Sequence, residues 1–228
     1  NKSVVGHNVQ CAVDGANTLI SHIEIVQAGS DGDQIETVAR SACEALSVTP
    51  DLETPIDVVA DGGYFNSAQI SRLEAAGVRV HIPAPDRSKI KTPGYTLSDF
   101  THDTATDTYI CPEGQALHRH KDQAGQDMSY HIYYNAAACK QCPVRERCTR
   151  GQYRKIQVSE HREIEQAVAR RLVDEPQIYA KRKELAELPF GLMKSIWGYE
   201  QFMVTGHKGC NGELNLMGFC FNWKRVLN

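Results

Sequence analysis

Ile56-Asp-Val-Val-Ala-Asp-Gly-Gly-Tyr64 is the stretch whose reading decides the fold. Its apolar residues Ile56, Val58, Val59 and Ala60 make a run too short for a helix, which predicts a buried strand. The run stops at Asp61, and Gly62-Gly63 then open backbone conformations that other residues avoid. In open α/β sheets, ligands and catalytic groups gather beyond the carboxyl ends of strands. A carboxylate on that lip is a candidate holder of a hard metal ion. A plainer role also fits, in which Asp61 caps a turn that the glycines make.

Working outward, the flanking segments supply the rest of an α/β unit. Val4 to Asp14 and Thr18 to Val26 are β-rich runs joined by Gly15-Ala16-Asn17, and the alternation of Val9, Cys11 and Val13 predicts a hairpin with one buried face. Ser30, Asp31 and Asp33 offer capping oxygens, and Ile35, Val38, Ala39, Ala42 and Leu46 predict an amphipathic helix over 33–46. After the Asp61 strand, Asn66 or Ser67 caps a helix carrying Ile70 and Leu73 that Gly77 closes. Val78-Arg-Val-His-Ile82 is the next strand, so strand, helix, strand forms a βαβ unit with parallel strands.

Between Asp86 and about Ser159 the aliphatic runs thin out. Tyr109-Ile-Cys-Pro-Glu-Gly and Tyr130-His-Ile-Tyr-Tyr134 look like short strands, and the segment reads as an insertion with its own small architecture. Helical periodicity returns at Glu160. Ile164, Val168 and Leu172 mark one helix, and a second runs from about Gln177, with a kink expected at Leu188 because Pro189 removes a backbone donor. A last helix is predicted from Glu213 to Leu227. The expected domains are therefore 1–85 and 160–228 around an insertion at 86–159.

The chain has 228 residues, 41% of them hydrophobic, enough for one substantial core and a smaller appended unit. No apolar run approaches the roughly 18 residues of a membrane span, and no signal-peptide pattern opens the sequence. The first residue is Asn1 and a strand begins soon after it, which suggests a fragment whose N-terminal part is absent. The net charge of −3 conceals an asymmetry. Residues 1–66 hold 10 acids against 2 Lys/Arg, and residues 139–183 hold 12 Lys/Arg against 6 acids. That pattern suits a metal site beside a polyanion-binding surface, and it also suits an ordinary mixed-charge exterior.

Of the 8 cysteines, Cys11, Cys43, Cys210 and Cys220 lie in apolar surroundings as small hydrophobes. Cys111, Cys139, Cys142 and Cys148 crowd one polar stretch, which favours a cytosolic protein with a metal site over a disulfide scaffold. The Cys139-x2-Cys142 pair can converge on tetrahedral zinc, and such an ion would hold together an insertion with little core. Free thiols are the alternative. Glu187 stands just before Leu188-Pro189-Phe190-Gly191, with Lys183 four residues earlier and Lys194 seven later. Those spacings share a helix face, as a metal-binding carboxylate between phosphate-holding cations or as a solvated ion pair. None of the 9 histidines forms a zinc-enzyme motif; His7, His22 and His81 lie in predicted strands as packed or surface residues. No Gly-rich phosphate loop or Gly-x-Ser-x-Gly elbow is present, so hydrolase and nucleotide-cofactor readings lack support.

Val5-Gly-His-Asn-Val-Gln-Cys-Ala-Val-Asp14, Val59-Ala-Asp-Gly-Gly-Tyr64, the cysteine stretch, Glu187-Leu-Pro-Phe-Gly-x2-Lys194 and Asn222-x-Lys-Arg225 together resemble bacterial insertion-sequence transposases of the DDE type, in the branch with a cysteine-bearing insertion. The resemblance implies a ribonuclease-H-like α/β fold, a mixed sheet flanked by helices, in which three carboxylates hold two Mg²⁺ (or Mn²⁺) ions. Asp61 matches the second acid and Glu187 the third. Tyr179, Arg182 and Lys183 resemble the Tyr and Arg that precede that Glu, and either Arg182 or Lys183 fills the Arg role.

The first acid belongs on a strand ahead of the hairpin and is expected upstream of Asn1. Asp14, at the hairpin tip, is the nearby substitute. The implied activity is cleavage and strand transfer of DNA at element ends, in the bacterial cytoplasm, by a self-associating protein without membrane contact. Lys194 and the basic residues of 140–155 (Lys140, Arg145, Arg147, Arg150, Arg154, Lys155) would hold phosphates. Two other readings stay open: a DNA-binding remnant with an incomplete site, and a zinc-bound interaction module.

Overall fold

The computed structural model describes residues 6–85, 94–124 and 129–227. Val4 and Val5, where the first strand was expected to begin, lie outside them. In chain order the elements are β1 (Asn8–Val13), β2 (Ile20–Val26), α1 (Ile35–Ala45), β3 (Ile56–Val59), α2 (Ser67–Ala75), β4 (Val78–His81) and β5 (Thr101–Asp103). There follow β6 (Thr108–Ile110), β7 (Ala116–Ala124), β8 (Ser129–Tyr134), α3 (Ala136–Gln141), α4 (Arg145–Cys148), β9 (Lys155–Ser159), α5 (Arg162–Asp174), α6 (Pro176–Gly191) and α7 (His207–Leu227). The chain divides after Pro85 and after Glu163 into two compact units, the first built from its two ends and the second from the stretch between. The second break falls later than residue 159, because the Glu160 amide donates to Ser129 O and its carboxylate accepts from Ser129 N, extending the second unit beyond β9.

In the first unit β1 and β2 pair antiparallel, with Asn8 opposite Val26, and β3 and β4 pair parallel, with Ile56 opposite Val78. The two pairs are separate sheets, not hydrogen-bonded to each other. Gly77 closes α2 at φ +81°, and a Cβ there would lie 2.3 Å from the Asp51 backbone, so only glycine fits. Asn66 caps α2 by accepting from the amides of Ala68 and Gln69. Ile35 and Ala39 of α1, Ile70 and Leu73 of α2, Val78 and Val80 of β4, and Val168 of α5 form one core.

A second core joins the hairpin to α7 through Ile20, Ile23, Ile25, Leu214 and Phe221. Gly218 allows the close approach, since a Cβ there would stand 3.1 Å from Ile23. The α7 side chains also act as a substitute strand along β2. Asn222 accepts from Ile20 N at 2.7 Å and donates to Ile20 O at 2.8 Å, and Asn211 accepts from Ile25 N at 2.9 Å. These bonds close an edge that would otherwise offer unpaired peptide groups.

The helical expectations need two corrections. The kink expected at Leu188 is not where the helix changes. Regular α6 continues through Pro189 to Gly191, and the irregularity follows as a wide turn over Leu192–Ile196, with Trp197 N bonded to Leu192 O at 3.1 Å. α7 starts at His207 rather than Glu213, because His207 and Cys210 have packing and hydrogen-bond partners on the hairpin and loop.

The second unit holds one five-stranded antiparallel sheet in the order β5-β6-β7-β8-β9. Its core is Phe100, Tyr109, Leu117, Tyr133, Ile156 and Val158, with α3 and α4 between β8 and β9. Among the described residues no helix is long and apolar enough to cross a membrane.

Replacing Asn222 with Ala removes both bonds to Ile20 and leaves its peptide groups unpaired. A loss of about 1–3 kcal/mol is expected, read as a lower urea midpoint with an unchanged slope. A midpoint equal to wild type would show that the edge needs no side-chain cover.

Candidate active site

β3 delivers Asp61 to the lip, and the turn chemistry there divides its two oxygens. Oδ1 accepts from Gly63 N at 2.8 Å and caps the short turn Gly62–Tyr64. A Cβ at Gly63 would lie 2.9 Å from that oxygen, so the second glycine is needed for the carboxylate to sit there. Oδ2 stands 3.9 Å from Nη1 of Arg182, whose Nη2 is 3.9 Å from Oε1 of Glu187. Arg182 and Glu187 both lie on α6. Two acids 126 residues apart thus face one guanidinium, with side chains 51% and 59% exposed. Solvent-reachable carboxylates on either side of one guanidinium are hard oxygen donors of the kind a divalent cation such as Mg²⁺ takes.

The acids stand at the rim of a cavity of about 730 Å³. Its walls come from β1 (Val9, Cys11), β3 (Val58, Val59), α1 and α6. Asp14 also lines it, but both Asp14 oxygens are engaged in its own turn, accepting from Ala16 N at 3.0 Å, Asn17 N at 2.9 Å and the Asn17 amide at 2.8 Å. Asp14 is thus seen as the cap of the hairpin turn.

Of the expected DNA-binding residues, Arg182 is the one drawn to the acids, while its neighbour Lys183 is exposed. Tyr179 is half-buried on α6, and Lys194 is exposed in the wide turn after it. In the second unit Lys155 is exposed and lies 5.0 Å from the Tyr153 ring centroid and 5.9 Å from that of Tyr134. Arg154 differs from expectation: its guanidinium donates to Cys148 O and Tyr95 O and lies over Phe100, so it serves as an internal tie. Cys111, Cys139, Cys142 and Cys148 are free thiols lining one small cavity of the second unit.

Two constellations in the first unit escaped sequence reasoning. Fully buried Gln10 donates to Asp31 Oδ1 and Asn8 Oδ1, both at 2.9 Å, and accepts from the Tyr64 hydroxyl at 2.6 Å. This network ties β1 to the Asp61 turn. Burial, then the nearby Asp31 and Asp61 carboxylates, push the Tyr64 phenol well above its ordinary range, so it stays a donor. The signal was available in the polar Gln10 amid an apolar alternation and in the tyrosine that ends the Asp61 stretch.

The other constellation is Asp57, His81 and Glu175, with one donor atom of each within 4.8 Å of the others. Such a set could hold an ion, yet Arg79 already supplies positive charge, donating to Asp57 Oδ1 at 2.9 Å and to Glu175. His81 was expected to be packed or at the surface. It is fully buried, with Nε2 2.8 Å from Asp57 Oδ1.

A family model described as a transposase DDE domain matches residues 110–227. The matched stretch contains the four clustered cysteines, Arg182, Glu187 and Lys194, and begins after Asp61. No curated protein and no solved structure matches the chain.

Burial pushes the Asp57 carboxyl up, but hydrogen bonds from His81 and Arg79 outweigh it and hold the carboxyl below its ordinary value. The resulting stability is complete above the unfolded value of about 4 and is lost as pH falls through the lower folded value. Asp57→Asn should therefore lower the urea midpoint at pH 7, with the gap to wild type narrowing towards pH 3. A gap of constant size across that range would contradict the assignment.

Proposed function

The chain belongs to the transposase DDE-domain family, and on that premise we propose that its first unit cuts DNA strands at the ends of a mobile element and joins them to target DNA. The observation that carries this reading is the pairing of Asp61 and Glu187 about Arg182. With Oδ1 fixed by Gly63, Asp61 presents Oδ2 on the side of Arg182, where a cation could replace the guanidinium. Glu187 approaches from a helix, so its position follows from the packing of α6 rather than from a loop. Arg182 offsets the repulsion between the two acids and is positioned to turn to a phosphate oxygen once a cation takes its place. Exposed Lys183 and Lys194 supply further phosphate contacts, with Tyr179 beside them. A pair of Mg²⁺ ions, when bound, would polarise the scissile phosphate and activate the attacking oxygen.

The architecture behind the site is ribonuclease-H-like, and it takes one more strand between β1 and β3. What supports this is the cavity itself: both strands line it, each has one edge without a strand partner among the described residues, and α1 and α6 contribute to its walls. That strand would bring the first acid to the lip. Asp14, held by its own turn, is the less suited source.

Manganese binding and DNA nicking test the proposal together. Mn²⁺ titration followed by electron paramagnetic resonance should show bound ions whose affinity falls at least ~10-fold in Asp61→Asn and Glu187→Gln. Nicking of supercoiled DNA by a polypeptide that includes the first acid should fall at least ~100-fold in either variant, with DNA retention on filters unchanged. Mn²⁺ binding indifferent to both substitutions would sink the catalytic reading. DNA binding without any nicking by the parent protein would instead support the incomplete-remnant reading.

A further inference from the structure

The second unit packs its core on one five-stranded sheet. Its helices α3 and α4 have 6 and 4 residues, lengths at which helices do not hold themselves together in water. Each nevertheless ends on cysteine chemistry. Cys139 lies on α3, Cys142 caps its end with its amide 3.3 Å from Cys139 O, and Cys148 is the last residue of α4.

Cys111 comes from the opposite side, at the end of β6. There Gly114, at φ +75°, lets the chain fold back, so that Gly114 N donates to Cys111 O at 2.8 Å and Gln115 N points at Cys111 Sγ at 3.3 Å.

All four cysteines line one cavity of about 30 Å³, the room of a single water molecule or ion. Arg145 and Arg154 line it too. Arg154 is tied by the carbonyls of Cys148 and Tyr95, and its Nε is buried without a partner. Two arginines suit a centre that carries excess negative charge, and four thiolates around one divalent ion carry two negative charges beyond the metal's own. At Gly94 (φ +91°) a Cβ would lie 2.6 Å from Cys148 Cα, so backbone packs directly on the last ligand.

We propose that Cys111, Cys139, Cys142 and Cys148 bind one zinc ion as four thiolates, and that this ion is the staple of the second unit. Soft sulfur donors select zinc over magnesium, so the site is chemically separate from the carboxylates of the first unit. Each thiol releases its proton to solvent as its sulfur bonds the metal. Among the described residues the one set of three or more ligating side chains within 4.8 Å of one another lies elsewhere, so binding draws the four sulfurs inward from α3, α4 and the turn after β6.

Elemental analysis of protein purified from zinc-supplemented medium should give one zinc per chain. Cys43→Ser and Cys220→Ser should keep it, and Cys139→Ser with Cys142→Ser should lose it. Since the latter variants could fail to fold, Co²⁺ titration of the chelator-treated parent gives a separate readout. Intense sulfur-to-cobalt charge-transfer bands and tetrahedral visible bands at one Co²⁺ per chain are expected. Hydrogen exchange should quicken at α3 and α4 when zinc is removed and slow again when Zn²⁺ is restored. Less than ~0.2 zinc per chain, a cobalt spectrum without sulfur bands, or zinc retained by the double variant would each overturn the proposal. None of these readouts depends on DNA cleavage.

Discussion

The first unit is organised around a break in its sheet. β1 and β2 form one ladder and β3 and β4 another, and no ladder hydrogen bond joins the two pairs among the described residues. Cohesion between them therefore rests on α1 and α6, which help wall the cavity between the pairs, and on the Tyr64–Gln10 hydrogen bond that crosses from the Asp61 turn to β1. A buried amide is costly when unpaired and stiffening when satisfied. Gln10, fully buried and bonded at both ends of its amide, is on the favourable side of that balance. The far edge of the hairpin shows the opposite treatment, with Asn211 and Asn222 supplying by side chain what a neighbouring strand would supply by backbone. One outer edge is sealed and the inner edges are left apart, an arrangement that suits a fold with room for a further central strand.

The acids lie where that arrangement makes them useful. Asp61 leaves the carboxyl end of β3, and α6 brings Glu187 and Arg182 to the same lip. An arginine between two exposed carboxylates contributes little to stability, since such pairs in water are worth a fraction of a kcal/mol. Its significance is positional. It shows two distant parts of the chain converging on one place suited to positive charge, whereas Arg79, between Asp57 and Glu175, belongs to an ion cluster that includes a fully buried histidine.

Much of the first unit was legible because its local patterns agree with their surroundings. The alternation about Cys11, the 3.6-residue spacing from Ile35, the capping Asn66 and the closing Gly77 each name an element that packing then preserves. β7 was not legible, since Ala-Leu-His-Arg-His-Lys-Asp-Gln-Ala offers one aliphatic core residue, Leu117, and otherwise reads as loop. Its strand character comes from pairing with β6 and β8, which no local window contains. The start of α7 was hidden by Gly209 and Gly212, which lower intrinsic propensity, whereas Cys210 and Leu214 bury the face that makes the helix pay off. In the site, the local settings of Asp61 and Glu187 fit a turn cap and a solvated ion pair as well as a metal ligand, and it was the family resemblance that singled them out. The choice of Arg182 over Lys183 is a three-dimensional fact with no one-dimensional trace, whereas the partnership of Gln10, Asp31 and Tyr64 left only the hint of a polar residue within an apolar alternation.

Asp61 also removes the conflict between its two sequence readings. Turn cap and metal ligand look like alternatives when a carboxylate is counted as one group, but it has two oxygens with separate acceptor sites. Here Oδ1 satisfies Gly63 N and thereby sets the direction of Oδ2 towards Arg182 and the Glu187 side. In the proposed site the local role would serve the functional one, because a ligand whose orientation is already fixed loses less freedom when a cation arrives. Asp14 differs in that its turn engages both oxygens, Oδ1 through Ala16 and Oδ2 twice through Asn17. What separates the two aspartates is the number of donors their turns place against them, and Gly63, which alone permits the close approach at Asp61, is the residue that makes the difference.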